Sequence, residues 1–227
     1  MVKKLYRKSY QLLIWLRFVL FQRRKMNHLV IEYVDDLPLV ILPDVFNPNL
    51  IVICEMFAHA VKEEPGLEGI RVLDVGTGSG LLSMFAAKRG ASVVAVDLNP
   101  HAVRCARINA LLNDVPVDVR QSDLFEAVAG ETFDLILFNP PFFVGTPRSY
   151  LDMAFFSEGA IDRFILQLRE HLAPGGWSLM GVSDTKHMDG FYDSLAENGF
   201  TWQTLSERRL PSETYSVVRV VPDSGDR

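Results

Sequence analysis

An apolar run that cannot continue constrains this chain more than any other feature. Residues 133–142 read Phe-Asp-Leu-Ile-Leu-Phe-Asn-Pro-Pro-Phe. Leu135 to Phe138 have the unbroken apolar character of a strand buried on both faces, while Pro140 and Pro141 lack the N–H that a ladder needs. The strand must end at Asn139. In an open α/β sheet ligands sit just beyond the carboxyl ends of the strands, so a carboxamide stands where binding and chemistry occur.

From Ile70 onward, apolar strand patterns alternate with helical ones, which signals a mostly parallel sheet with right-handed crossovers. Strands are expected near 70–75, 92–97, 117–121, 133–138 and 176–182, with helices near 80–89, 100–113, 157–172 and 187–198. A final pair, 201–207 and 214–221, is joined by a short Pro-containing link and reads as an antiparallel edge. The chain has 227 residues, 48% of them hydrophobic, which suits one α/β domain with an appendage rather than two full domains.

That appendage is the N-terminus. From Lys3 to Lys25 every charge is positive, and no acid precedes Glu32 although the whole chain carries −5. Leu12 to Phe21 is apolar except for Arg17, shorter than the roughly 20 residues of a membrane span and without a small-residue cleavage site. Neither a transmembrane helix nor a secretory signal is expected. Its apolar stripe among cations fits a helix docked on the domain, a substrate-binding arm, or a helix on a membrane surface. Residues 29–42 alternate loosely and read as a short hairpin broken near Asp35-Asp36, and Asn47-Pro48 signals a helix start. The division expected is therefore 1–48, a basic helical arm and hairpin, and 49–227, the α/β domain. Cys54 and Cys105 have no second Cys or His at ligand spacing and read as buried thiols of a reducing cytoplasm; no metal site is expected.

The first parallel strand runs into Val72-Leu-Asp-Val-Gly-Thr-Gly-Ser-Gly80 and then a helix. Gly76, Gly78 and Gly80 allow backbone to approach a ligand and to turn where a Cβ would forbid it. The spacing is Gly-x-Gly-x-Gly rather than the dinucleotide Gly-x-Gly-x-x-Gly, and no Gly-Lys-Ser/Thr follows, so NAD and ATP lose ground. Asp97 ends the next strand where an acid accepts hydrogen bonds from ribose hydroxyls. Asp123 ends the third, beside the same pocket, where it could accept from an adenine amino group. Any one acid could be a helix cap; three strand-end acids, Asp74, Asp97 and Asp123, beside a glycine loop point to a nucleoside ligand.

These residues resemble the class I S-adenosylmethionine-dependent methyltransferases over roughly 70–222. More narrowly, they are similar to the amino-group enzymes with an Asn-Pro-Pro-aromatic signature, which include the glutamine N-methyltransferases of release factors and the small rRNA methyltransferases. The resemblance implies a Rossmann-like, doubly wound α/β fold. It implies S-adenosyl-L-methionine as cofactor, held by Asp74, Gly76, Thr77, Gly78, Gly80, Asp97, Leu98, Asp123, Leu124 and Asn139, with Leu124 and Phe125 as apolar walls of the adenine. It makes Asn139, Pro140 and Phe142 the catalytic set. The chain has Phe142 where the glutamine-modifying members have Tyr. Phe46, Phe143, Arg148 and Tyr150 are candidates for the acceptor side.

The chemistry fits that motif. An amide or exocyclic amine nitrogen is a poor nucleophile because its lone pair is delocalised. If the Asn139 side-chain oxygen and the Pro140 carbonyl each accept one N–H, the nitrogen is fixed and pyramidalised, and Phe142 can stack on the planar group. The leading expectation is N-methylation of a macromolecule, either a protein glutamine or an rRNA or tRNA base. A small-molecule methyltransferase is the enzymatic alternative, and a cofactor-binding protein without transfer activity is the non-enzymatic one.

Overall fold

The computed structural model describes residues 28–184, 190–211 and 213–223. The basic segment ahead of His28, and with it the helical arm, lies outside the described residues, as do 187–189 of the last expected helix.

The chain opens with the hairpin β1 (Val30–Val34) and β2 (Leu37–Ile41), turning at Asp35 with a left-handed φ of 51°. Then follow α1 (Val52–Glu63), β3 (Arg71–Val75), α2 (Leu81–Lys88), β4 (Ser92–Asp97), α3 (Pro100–Leu112), β5 (Val117–Gln121), β6 (Phe133–Phe138), the two-residue strands β7 (Phe143–Val144) and β8 (Phe156–Ser157), α4 (Ala160–His171), β9 (Leu172–Ser183), α5 (Phe191–Glu197), β10 (Phe200–Arg209) and β11 (Thr214–Pro222). Seven strands form the central sheet in the order β10-β11-β9-β6-β3-β4-β5. β3, β4, β5, β6 and β9 run parallel, and β11 and β10 close one edge antiparallel. The expected mixed α/β sheet is present, with its strands where the apolar runs lie.

Both faces of the sheet are covered, which is why its central strands read as continuous apolar runs. Neighbouring residues on one strand go to opposite layers. Val72, Leu135, Leu137 and Leu179 pack under α1, α2, α3 and the hairpin's Leu37, Leu39 and Ile41. Leu73, Ile136, Phe138 and Met180 pack under Phe164 and Leu168 of α4 and Leu195 of α5. Each such buried side chain contributes roughly 1.5–3 kcal/mol of transfer free energy. The hairpin is also bonded to the domain: Asn109 on α3 accepts Val40 N at 2.8 Å and donates to Val40 O at 2.8 Å, standing in for a strand partner, while Asn113 donates to Pro38 O at 2.9 Å.

Three boundaries differ from the expectations. The helix signalled at Asn47-Pro48 is a single tight turn at Pro48–Leu50, capped by the Asn47 side chain, and α1 starts only after an extended Ile51. The helix expected from 157 starts at Ala160, because Phe156 and Ser157 pair with Phe143 and Val144. The strand expected from 176 starts at Leu172 and pairs irregularly with β6 around Gly176. A Cβ there would lie 2.9–3.0 Å from three backbone oxygens. Only glycine permits so close an approach of backbones.

Candidate active site

The strand order places a topological switch between β3 and β6. Val75 at the end of β3 pairs with Phe138 of β6 on one side and Val96 of β4 on the other. The residues that follow, Gly76, Asn139 and Asp97, therefore emerge side by side at the carboxyl edge, where open α/β sheets bind ligands.

The glycine turn is anchored by Gly76 N and Thr77 N, which both donate to Val96 O at 2.9 and 3.0 Å. Gly76 (φ 69°) and Gly78 (φ 57°) are left-handed, and a Cβ on either would meet nothing within 4 Å. That empty space, beside a carboxylate and between strand ends, is what a nucleoside cofactor would fill. Gly80 (φ 86°) differs: a Cβ there would lie 3.2 Å from Ala106 Cβ and from Met84 Cε, so its bareness serves the packing of α2 on α3.

Asp74 and Thr77 brace the turn from beneath. The buried Asp74 Oδ2 accepts from Thr77 Oγ1 at 2.7 Å, Ser83 Oγ at 2.6 Å and Ser83 N at 3.2 Å. Asp97 faces the groove, accepting Gly78 N on one oxygen and Asn99 N on the other, both at 2.8 Å. Each of its oxygens keeps a further lone pair for an incoming hydroxyl. Burial pushes both carboxyls up to about 6 against the hydrogen bonds that favour their ionised forms.

Both folded-state values lie above the unfolded ones, so between roughly pH 4 and 6 the folded protein holds the extra protons. The two carboxyls thus favour folding most below that window, and this contribution is lost as the pH rises through about 6. A cofactor whose hydroxyls donate to an ionised Asp97 has the opposite preference. Affinity for S-adenosylhomocysteine is expected to fall up to about tenfold per pH unit below about 6, and the thermal shift it produces to shrink with it. Calorimetric titration across that range checks this; an affinity flat to pH 5 would place Asp97 outside the binding groove.

At the third strand end, Leu124 has a left-handed φ of 49°, uncommon for a bulky residue. The bend is held by Ser122 Oγ, which donates to Leu124 O at 2.9 Å and accepts Ala127 N at 2.9 Å. Leu98 is exposed beside Asp97. Both Asp123 oxygens accept from the Arg163 guanidinium of α4 at 2.9 and 3.1 Å, a partner the sequence reading missed. Phe125 requires a correction: it is core rather than adenine wall, its ring stacked on His171 at 4.4 Å and near Phe164 at 5.3 Å.

On the acceptor side, Asn139 Nδ2 donates to Cys54 Sγ at 3.6 Å, and Asn139 Oδ1 is buried without a partner among the described residues. Burial pushes the Cys54 thiol up to about 12, so the sulfur is protonated. Pro140 is buried, and Phe142 packs against both cores with its ring 6.0 Å from that of Tyr215 on β11. Burial, and next Glu213, raise the Tyr215 phenol above its ordinary value. The remaining candidates gather on two loops. Phe46 meets Phe155 edge to face at 5.4 Å, Phe143 lies 5.6 Å from Phe156, and Tyr150 lies 5.2 Å from His101. Arg148 is exposed, and its N–H donates to Asp152 at 3.0 Å. The Phe46 loop is tied to the cofactor side by Asn99 Nδ2, which donates to Asp44 O at 2.8 Å.

Cys54, Gly181 and Tyr215 are the neighbours of this site that sequence reasoning passed over. Gly181 carried a signal, since a lone glycine inside an apolar strand marks close approach of another group.

A doubly wound sheet with a glycine turn after its first strand, an acid after its second and Asn-Pro-Pro-aromatic after its fourth defines an S-adenosylmethionine-dependent methyltransferase. The chain belongs to the methyltransferase small domain family, whose model matches residues 39–197. It is 34% identical over 205 residues to a Methanocaldococcus jannaschii protein whose name provisionally assigns it as a protein N5-glutamine methyltransferase, covering 84% of this chain and 98% of that one. It is 36% identical over 163 residues to the release factor glutamine methyltransferase of Koribacter versatilis, covering 64% of this chain and 55% of that relative, so it spans about half of it. In fold it is similar to the T. thermophilus 16S rRNA N2 G1207 methyltransferase solved with AdoMet and guanosine, with TM-score 0.66, 23% identity and coverage of 86% of this chain and 50% of that one. The protein is an enzyme and its cofactor is S-adenosyl-L-methionine. Among the described residues no helix is long and apolar enough to cross a membrane.

Proposed function

We propose that the enzyme methylates the side-chain nitrogen of a glutamine in a protein. The observation that carries this reading is the acceptor face. The stretch that follows Asn139 carries Phe142, Phe143, Tyr150, Phe155 and Phe156, with Phe46 packed on Phe155 and Phe143 near Phe156, and in the sequence from 140 to 158 Arg148 is the only cation, against Asp152 and Glu158. RNA recognition calls for cations that track phosphates, whereas an uncharged carboxamide suits the aromatic, cation-poor stretch that follows Asn139. The glutamine methyltransferases among its relatives support the same acceptor.

When bound, the cofactor supplies a methyl group on a positively charged sulfur. The protein's part is orientation and electrostatics. Asn139 Oδ1 and the Pro140 carbonyl accept the two N–H bonds of the acceptor amide, which turns its nitrogen lone pair out of conjugation and toward the methyl. Phe142 holds the amide plane, and the aromatic loops exclude water. The cofactor groove is lined by Gly76, Gly78, Asp97, Leu98, Leu124 and Asp123, with Asp74, Thr77 and Gly80 shaping the turn beneath it. The free buried thiols Cys54 and Cys105 suit a cytoplasmic enzyme.

Incubating the enzyme and labelled S-adenosylmethionine with whole-cell lysate, then separating protein, RNA and small molecules, tests the reading. Label is expected in protein, and after proteolysis as one added methyl on a glutamine. Label confined to RNA or to small molecules would overturn it.

A further inference from the structure

Asn139 lies in a slot whose walls belong to distant parts of the chain. Phe138 pairs with Met180, so the next residues along the two parallel strands bring Asn139 beside Gly181. A Cβ on Gly181 would lie well inside 3.0 Å of Asn139 Oδ1, 3.4 Å from its Cγ and 3.4 Å from Ile53 Cγ1. The other end of the carboxamide is held from α1, where Nδ2 donates to Cys54 Sγ at 3.6 Å. Oδ1 itself is buried and has no partner among the described residues. A buried acceptor without a donor is rare and points to a strain reservoir, a catalytic role or an absent partner.

We propose that Cys54 and Gly181 are positioning residues for methyl transfer: Cys54 selects which end of the Asn139 carboxamide is bound by the protein, and Gly181 leaves the room in which Oδ1 stands ready for the acceptor N–H. This rests on the reading that Asn139 receives an acceptor N–H. A carboxamide has two ends of nearly equal shape and opposite polarity. Turned by half a revolution, Asn139 would offer N–H to N–H and repel the acceptor nitrogen. The sulfur of Cys54, an acceptor for Nδ2, disfavours that turn. At position 181 any side chain would occupy the place of Oδ1 and push the carboxamide out of the slot, which explains a glycine between the buried Met180 and Val182.

The test is single-turnover transfer by Gly181→Ala, Cys54→Ala and Cys54→Ser with saturating cofactor, measured on whichever fraction takes label from the parent enzyme. An RNA acceptor would then overturn the glutamine reading without deciding this one. Gly181→Ala is expected to approach the roughly 10²–10³-fold loss of deleting an oriented catalytic group. Cys54→Ala is expected to lose about 2–10-fold, the worth of one hydrogen bond, and Cys54→Ser to recover most of it. S-adenosylhomocysteine affinity should stay at the parent value in all three, which a general loosening of the fold would not allow. Parent rates in Gly181→Ala and Cys54→Ala overturn the proposal, as does a Cys54→Ser variant no better than Cys54→Ala. A crystal structure of Gly181→Ala serves as a readout independent of activity: Asn139 turned out of the slot is expected, and a carboxamide still bonded to Cys54 overturns it.

Discussion

Asn139→Ala is expected to lower single-turnover methyl transfer by about 10²–10³-fold, or roughly 2.7–4 kcal/mol in the transition state, by analogy with removing one oriented group of an oxyanion hole. Its affinity for S-adenosylmethionine should change little, because the groove proposed for the cofactor draws on other strand ends: Gly76 and Gly78 after β3 and Asp97 after β4. The fold should tolerate the change as well. Asn139 makes one weak bond to sulfur and leaves its oxygen unpaired, so truncation strands only the Cys54 thiol. Transfer at the parent rate would remove Asn139 from the chemistry, and with it the assignment to nitrogen acceptors.

Asp97→Ala should do the reverse, abolishing binding before chemistry begins. A carboxylate accepting from two ribose hydroxyls makes charge-assisted bonds worth about 1.5–3 kcal/mol each, so affinity for S-adenosylhomocysteine should fall by at least about 10²-fold. The effect has a second source in the protein itself. Asp97 accepts the N–H groups of Gly78 and Asn99, and its loss removes one of the bonds that hold the glycine turn and one that places Asn99, to which the Phe46 loop is tied. Asp97→Asn separates the two effects, since it retains one oxygen for a backbone N–H and gives up the charge. Calorimetric titration of both variants, with circular dichroism to show that they are folded, is the measurement. Unchanged affinity in a folded Asp97→Ala would exclude the residue from the site.

How far the site could be read from sequence depended on where each residue stands relative to a strand end. Asp97, Asn139 and the glycines of the first turn were visible because each directly follows an apolar run, and the end of such a run is a local property. Asp123 was visible only as an acid just beyond the third strand, and Arg163, which holds both its oxygens, lies 40 positions away on α4. Phe125 misled the reading: its place next to Leu124 suggested a pocket wall, whereas the bend at Leu124 sends the ring into the core against His171 and Phe164. The aromatic pairs of the acceptor loops were equally hidden, because Phe143 meets Phe156 only through two-residue strands too short to show a period.

By itself the sequence determined the alternation of strands and helices, the points at which the strands stop, and hence the side of the sheet on which glycine, acid and carboxamide stand. Apolar periodicity and chain-breaking residues act within a few positions of themselves, so they can be read without a partner. Only the tertiary structure decided that β6 lies beside β3 and β9 beside β6, since one buried parallel strand is as apolar as the next and none names its neighbour. From that order follow the switch point beside Val75 and Phe138 and the register that sets Gly181 against Asn139. The packing of α1 and β11 over the same edge then brings Cys54 to Asn139 and Tyr215 to Phe142 across 85 and 73 positions of chain. Contacts of that span come from burial on both faces of one sheet, which no stretch of sequence contains alone.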